Sequence, residues 1–348
     1  MKSFSIGNRK VGDDHPAFII AEAGVNHNGE MALAKKLVET AANAGADCVK
    51  FQTFEPELVA SSQAPKAEYQ QEQTDPNESQ LDMIKKLYLP QESFLELKDY
   101  ALDLNLIFMS TAFDFKSIEF LSGIIPAFKV PSGEITNDWF LEAMAKKQKP
   151  MIISTGMSSL GEVEHAIAVV RNHGASDLAV LHCTSNYPAL PKTVNLRAMN
   201  SMGQAFNLPF GLSDHTEGID IAVAAVARGA KIIEKHFTLD KSLPGPDHTA
   251  SLSIEELNQL IRSIRNVEEA LGDGIKQIQE SEKEVRDVAR RSLVALEDLQ
   301  KDTILGRDNL IPKRPGTGIP IKMFEYVKGR KLRHDVQKDK LITWEDLY

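Results

Sequence analysis

Leu178–Pro188 reads LAVLHCTSNYP, an apolar run that ends abruptly in side chains able to do chemistry. The same event recurs seven times before Leu239: FIIAEAGVNHNG (18–29), CVKFQTF (48–54), LIFMSTAFD (106–114), AFKVPSGE (127–134), MIISTGM (151–157), PFGLSDHT (209–216) and KIIEKHF (231–237). Each is a strand-like run bounded by turn residues, and amphipathic helical patterns such as Gln91–Leu104 and Leu160–His173 fill the gaps. Strands alternating with helices imply a parallel sheet, and eight of them close as a (β/α)₈ TIM barrel of the α/β class. The strand C-terminal ends then share one face, so the polar residues ending these runs converge on one mouth. That pattern belongs to an enzyme.

The chain has 348 residues, 42% hydrophobic and 26% charged, which allows one barrel and something smaller. Its net charge of −9 argues against nucleic acid or an anionic membrane as a partner. No apolar run approaches the roughly 20 residues of a membrane span, and MKSFSIGNRK has no signal-peptide core, so cytoplasm is the expected compartment. Cys48 and Cys183 fall in different strands and read as buried core thiols rather than a disulfide.

Glu55–Pro90 is far longer than an ordinary strand-to-helix loop. Its polar middle, SSQAPKAEYQQEQTDPNESQ, is either a tolerated surface insertion or a lid over the substrate. A helix over Ile254–Leu271 closes the ring, giving a barrel domain over residues 1–273. Residues 274–290 are charged and helix-prone and read as a linker. Residues 291–348 carry short apolar pieces broken by Gly, Pro and charges, which predicts a small β-rich domain; within it KRPGTGI (313–319) is a stiff turn behind two cations.

Three groups of mouth residues could carry chemistry. His215 and His236 end adjacent strands, about 4.8 Å apart, so both rings could reach one ion, although a hydrogen-bonded core position is the commoner fate of a lone histidine. Lys50, Lys129 and Lys235 interrupt apolar strands, where a buried ammonium needs an anion: either a structural pair with Glu22, Glu134 or Glu234, or an anionic substrate. Ser132-Gly133 and Ser154-Thr155-Gly156 add the small donors that surround phosphate. Glu22 and Glu134 are candidate general acid/base groups or charge partners. Ser213, Asp214 and His215 are consecutive on a strand and so cannot face one point as a triad. No Walker or Rossmann glycine pattern indicates a nucleotide.

The ordered set AEAGVNHNG, VKFQTF, KVPSGE, ISTGM, LHCTSNYP, GLSDHT, EKHFT, PGPDH and KRPGTGI resembles the sialic acid synthase family, over nearly the whole chain. The resemblance implies a (β/α)₈ barrel followed by an antifreeze-like SAF domain. It implies condensation of phosphoenolpyruvate with an N-acetylated mannose-type sugar to a nine-carbon 2-keto acid and phosphate. A divalent metal assists, Mn2+ by default and Mg2+ or Co2+ as alternatives, and the resemblance makes His215 and His236 its ligands. Lys50, Thr111, Lys129, Ser132, Ser154 and Ser185 would hold phosphoenolpyruvate; some family members have Asn where this chain has Ser185. Gln52, Tyr187 and Asp247 would face the sugar, Glu134 would transfer protons with Glu22 nearby, and Arg314 would reach in from the partner of a domain-swapped homodimer. N-acetylmannosamine is the default sugar, and 2,4-diacetamido-2,4,6-trideoxy sugars leading to legionaminic or pseudaminic acid are the alternative. Two competing readings are a synthase for a shorter sugar acid and a non-catalytic ice- or glycan-binding module.

Overall fold

In the computed structural model the described residues are 3–61, 63–75 and 77–348. Eight parallel strands form a ring among them: β1 (Phe18–Gly24), β2 (Cys48–Thr53), β3 (Ile107–Ala112), β4 (Phe128–Val130), β5 (Met151–Ser154), β6 (Leu178–Cys183), β7 (Phe210–Asp214) and β8 (Ile232–His236). The hydrogen-bonded order is β3-β2-β1-β8-β7-β6-β5-β4, and β3 packs beside β4 to bring the ring round. Each strand starts within one residue of the start of one of the eight stretches read from the sequence, because each is an apolar run cut off by polar residues.

The two-residue period of a strand divides the barrel into an outer and an inner set. Outward residues such as Val49, Phe51, Phe128 and Ile153 pack under the helices in one large core. The helices Leu160–Asn172 and Ile254–Leu271 each open with a Ser–Glu capping box (Ser159 with Glu162, Ser253 with Glu256). They bury Val163, Ala166, Ile167 and Val170, and Leu257, Leu260, Ile261 and Ile264, the spacing of one helical face. Inward residues Ile20, Cys48, Met109, Ile152, Leu181 and Ile232 form an apolar floor.

A hairpin absent from the sequence reading seals that floor. Strands Phe4–Ile6 and Arg9–Val11 pair antiparallel around Gly7-Asn8, and Phe4, Ile6 and Val11 join the floor cluster. With the bottom plugged by apolar side chains, the cavity opens only where the inner residues turn polar.

Two further expectations are refined. The Glu55–Pro90 stretch holds three short helices, Pro56–Val59, Glu68–Gln73 and Gln80–Lys86. Buried Lys66 ties it together, donating to Thr74 Oγ1 at 2.9 Å and to Asp75 O, with Glu78 Oε1 at 3.6 Å. The chain divides at Gly272, one residue from the expected end of the barrel domain, and Asp273–Tyr348 is one compact unit. The stretch expected to be a linker belongs to it, since its helix Lys283–Ala289 supplies Asp287 O to the N–H of Gly316 at 2.6 Å. In that unit β9 (Ser292–Ala295) pairs antiparallel with β10 (Leu310–Lys313) over a core of Leu293, Leu305, Val327, Leu332 and Ile342. Ser292 Oγ donates to Pro315 O at 2.8 Å and accepts from Gly318 N at 2.9 Å, which fixes the KRPGTGI turn.

Among the described residues no helix is long and apolar enough to cross a membrane. Cys48 and Cys183 are both free and buried.

Candidate active site

Directly above the apolar floor the inner residues become Glu22, Lys50, Thr111, Lys129, Ser154, Cys183, Ser213 and Glu234, one from each strand or its end. They line a cavity of about 320 Å³ together with Gln52, Ser132, Ser185, Tyr187, His215 and His236. The register places His236 opposite Glu22 and Glu22 opposite Lys50. The β1–β2 ladder shifts between Glu22 and Gly24, a bulge of the kind that re-aims side chains beside active sites.

The ring is held by buried ion pairs. Lys50 Nζ lies 2.7 Å from Glu22 Oε2 and 3.6 Å from Glu234 Oε2, and donates to Thr111 Oγ1 at 2.8 Å. Lys129 Nζ lies 3.1 Å from Glu234 Oε1, which also accepts from Ser213 Oγ at 3.0 Å. The two carboxyls differ sharply. Burial pushes Glu22 up to about 7, and Lys50 only partly offsets it. Burial acts on Glu234 too, but Lys129 and Lys50 outweigh it and hold that carboxyl down at about 2. Near neutrality the layer thus carries two ammonium groups against one firm carboxylate and one partly protonated carboxyl. The surplus positive charge faces the cavity.

The phosphate-type donors also meet. A Cβ on Gly156 would stand 2.2 Å from Ser185 Oγ and 2.8 Å from Ser132 Oγ, so only glycine lets β5's turn approach both hydroxyls. Gly156 N–H donates to Ser132 Oγ at 3.0 Å, and the Ser132 hydroxyl in turn bonds the Cys183 side chain. Thr111 accepts from Lys50 and keeps its proton free.

His215 and His236 stand with ring centroids 5.7 Å apart, and Tyr187 stacks on His215 at 4.0 Å. His215 Nδ1 bonds Thr184 O at 2.8 Å, leaving Nε2 to bind an ion. His236 Nδ1 is buried with no hydrogen-bond partner, and Asp247 Oδ2 is 4.0 Å away. Burial, with His215 and Lys50 nearby, holds His236 well below the usual range, hence neutral as a ligand must be. A sealed, partnerless nitrogen costs about 1–3 kcal/mol, so the donor set fits a divalent cation. Among the described residues no group of three or more His, Cys, Asp or Glu is placed to hold an ion alone, so water or substrate oxygen would complete its shell.

Four expected residues fall elsewhere. Lys235 interrupts an apolar strand as Lys50 and Lys129 do, but the strand period turns it outward, where Nζ meets Asp214 Oδ2 and Thr216 O, each at 2.7 Å. The same parity separates Asp214 from Ser213 and His215. Glu134, on a short 3₁₀ turn at Ser132–Glu134, does not line the cavity; its Oε2 accepts from Asn137 Nδ2 at 2.7 Å. Asp247 lines an adjoining chamber of about 230 Å³ that shares Gln52, Phe113 and Tyr187 with the first, and burial raises its carboxyl to about 6. Arg314 lies in the second unit, exposed on the KRPGTGI turn.

The sequence reading missed Cys183 and Ser213 as cavity residues; Glu234, one of the three expected lysine partners, pairs with both Lys50 and Lys129. Parity with His215 would have found Ser213. Cys183 Sγ sits 3.8 Å from His215 Nδ1; burial works to raise the thiol, but the histidine's bond and charge prevail and lower it to about 7.

Comparison with known proteins agrees with this architecture. The chain is 48% identical to an N,N'-diacetyllegionaminic acid synthase of Campylobacter jejuni, over 93% of this chain and 98% of that one. It is 38% identical to the N-acetylneuraminate-9-phosphate synthase of Homo sapiens, over 97% and 94%. A solved N-acetylneuraminic acid synthetase of Leptospira borgpetersenii superposes with a TM-score of 0.72 at 34% identity, covering 82% of this chain and 95% of that one. The NeuB family model matches residues 37–276 and the SAF domain model matches residues 290–347. A barrel whose eight strand ends deliver this ring, followed by a SAF domain, makes the chain a member of the NeuB family of sialic-acid-type synthases.

Proposed function

We propose that the protein condenses phosphoenolpyruvate with an N-acetylated mannose-type sugar and water, giving a nine-carbon 2-keto sugar acid and phosphate. What carries the reading is the charge of the polar ring: Lys50 and Lys129 against a single firm carboxylate, Glu234. That surplus, beside the hydroxyls of Thr111, Ser132, Ser154 and Ser185, suits the phosphate and carboxylate of phosphoenolpyruvate. Similarity to the Campylobacter enzyme favours a 2,4-diacetamido-2,4,6-trideoxy sugar over N-acetylmannosamine as the acceptor.

His215 and His236 would hold a divalent metal, Mn2+ in the first instance, which when bound would polarise the aldehyde oxygen of the open-chain sugar. The chain's own groups do the rest. Gln52, Tyr187 and Asp247 orient the sugar so that its aldehyde carbon faces C3 of the enol. As the new C–C bond forms, positive charge develops at C2 and water adds there. Glu22, the carboxyl lining the cavity with a pKa near 7, handles the proton of that water. The tetrahedral centre then expels phosphate by C–O cleavage, and Lys50 and Lys129 stabilise the leaving dianion.

The reading includes a homodimer in which Arg314 of one subunit recognises the N-acetyl group in the other's mouth. Refolding His236→Ala and Arg314→Ala proteins together should restore about a quarter of wild-type activity, since about half of the dimers are mixed and each holds one whole site. Activity no higher than either variant alone, with mixed dimers verified, would remove the swapped arginine. The catalytic reading itself requires phosphate release that depends on both substrates and a product of the nine-carbon mass.

A further inference from the structure

The second chamber has a character unlike the first. Val25, Phe54 and Leu87 form a small buried cluster with Ile84 and Phe113 packed on it, and these residues with Met83 make its walls. It is continuous with the catalytic cavity through Gln52, Phe113 and Tyr187, so a substrate bound at the metal-site histidines extends into it. Its volume, about 230 Å³, is several times the ~30 Å³ share of one water. Most of one side comes from the Glu55–Pro90 stretch, which supplies Val59, Gln70, Met83, Ile84 and Leu87.

That wall is anchored at both ends. Lys66 ties the stretch internally, and Thr249 Oγ1 donates to Gln73 Oε1 at 2.9 Å, joining it to the loop after β8. The polar side chains on its lining are Gln52, Gln70, Tyr187 and Asp247. Gln70 commits its Oε1 to Ala67 N–H at 3.0 Å, which leaves its amide N–H₂ to donate. Gln52 stands at the passage between the two spaces.

We infer that this chamber is the subsite for the far end of the sugar, and that Met83, Ile84 and Leu87 select a methyl at C6 while Gln70 receives the carbonyl of an acetamido group at C4. The assignment rests on the synthase reading and extends it to the residues that choose the acceptor. A C6 hydroxyl among these side chains would lose its water partners without gaining new ones, whereas a methyl is simply buried. An acetamido group offers one carbonyl to the Gln70 amide and one methyl to the apolar wall.

The test compares kcat/KM for N-acetylmannosamine, 6-deoxy-N-acetylmannosamine and 2,4-diacetamido-2,4,6-trideoxymannose, with phosphoenolpyruvate saturating. The account expects a rise at each step, on the order of tenfold or more. Ile84→Asn should erase most of the step between the first two sugars. Gln70→Ala should erase most of the step between the last two. Gln70 is only partly buried, so its variant answers the question even if Ile84→Asn fails to fold. Equal use of all three sugars, preference for N-acetylmannosamine, or ratios unchanged in both variants would overturn the subsite while leaving a working synthase. Phosphate release with none of the three would overturn the synthase reading and the subsite with it.

Discussion

Lys50 Nζ faces Glu22 Oε2 at 2.7 Å across neighbouring strands, with both side chains almost sealed from water. A bare ammonium there would be costly, and the pair settles it only partly, because burial keeps Glu22 near 7. On the proposed reading an arriving dianion completes the neutralisation, and the pair serves substrate binding rather than merely holding two strands.

Lys50→Met therefore removes the cation and lets Glu22 protonate. Its kcat/KM for phosphoenolpyruvate should fall by about 10²–10³, while circular dichroism reports a folded barrel. Lys50→Arg should not rescue it, since a planar fork does not fit a slot shaped for one ammonium between Glu22, Glu234 and Thr111. Unchanged phosphoenolpyruvate kinetics in Lys50→Met would make the pair purely structural.

Glu22→Gln should depress kcat more than it weakens sugar binding, and more than Glu134→Gln does, because Glu22 lines the cavity and Glu134 is engaged with Asn137 outside it. Steady-state kinetics of both variants decide the order. A larger loss in Glu134→Gln would return the proton-transfer role to Glu134.

Metal removal gives two readouts. Exhaustive chelation should abolish phosphate release and Mn2+ should restore it. Independently of activity, saturating Mn2+ at about 100 times its Kd should stabilise the folded chain by about 2.7 kcal/mol, seen as a rise in Tm. The His215→Ala/His236→Ala protein should show no such rise. Full turnover after chelation, or an equal Tm rise in the double variant, would remove the metal from these residues.

The fold titrates at histidines too. Burial lowers His27 to about 4, and burial likewise lowers His248 to about 4 despite Asp240. Each is neutral when folded, while the unfolded chain takes up protons below about 6.5. Between these values the unfolded state binds more protons, so stability is full above about 6.5 and declines as pH falls towards 4. Thermal melts should show Tm dropping across that window, and His27→Gln should flatten the drop. An equal slope in wild type and variant would exclude His27 as a contributor.

Much of this was legible before any coordinates, for a local reason. A barrel strand is an apolar run with a chemical tip: Ser154, His215 and His236 each follow such a run, and Lys50 and Lys129 interrupt one. Parity is what a list of tips lacks: Lys235 sits between Glu234 and His236, so if those two face in, it faces out to Asp214. The N-terminal hairpin was missed because its strands are three residues long, although Gly7-Asn8 between FSI and RKV is a hairpin signal. The helices of the Glu55–Pro90 stretch are too short for a 3.6-residue period to emerge, and their order comes from the Lys66 tie, a tertiary contact no local pattern encodes.

The central claim is that phosphate leaves by C–O cleavage after the enol attacks the sugar aldehyde. Phosphoenolpyruvate carrying ¹⁸O in the bridging position, incubated with the protein, Mn2+ and the acceptor sugar, tests it in one mass spectrum. The account predicts sugar-dependent turnover with the label in inorganic phosphate and unlabelled C2 oxygen in the nine-carbon keto acid. Label retained in the keto acid, or phosphate released without any sugar, would contradict it.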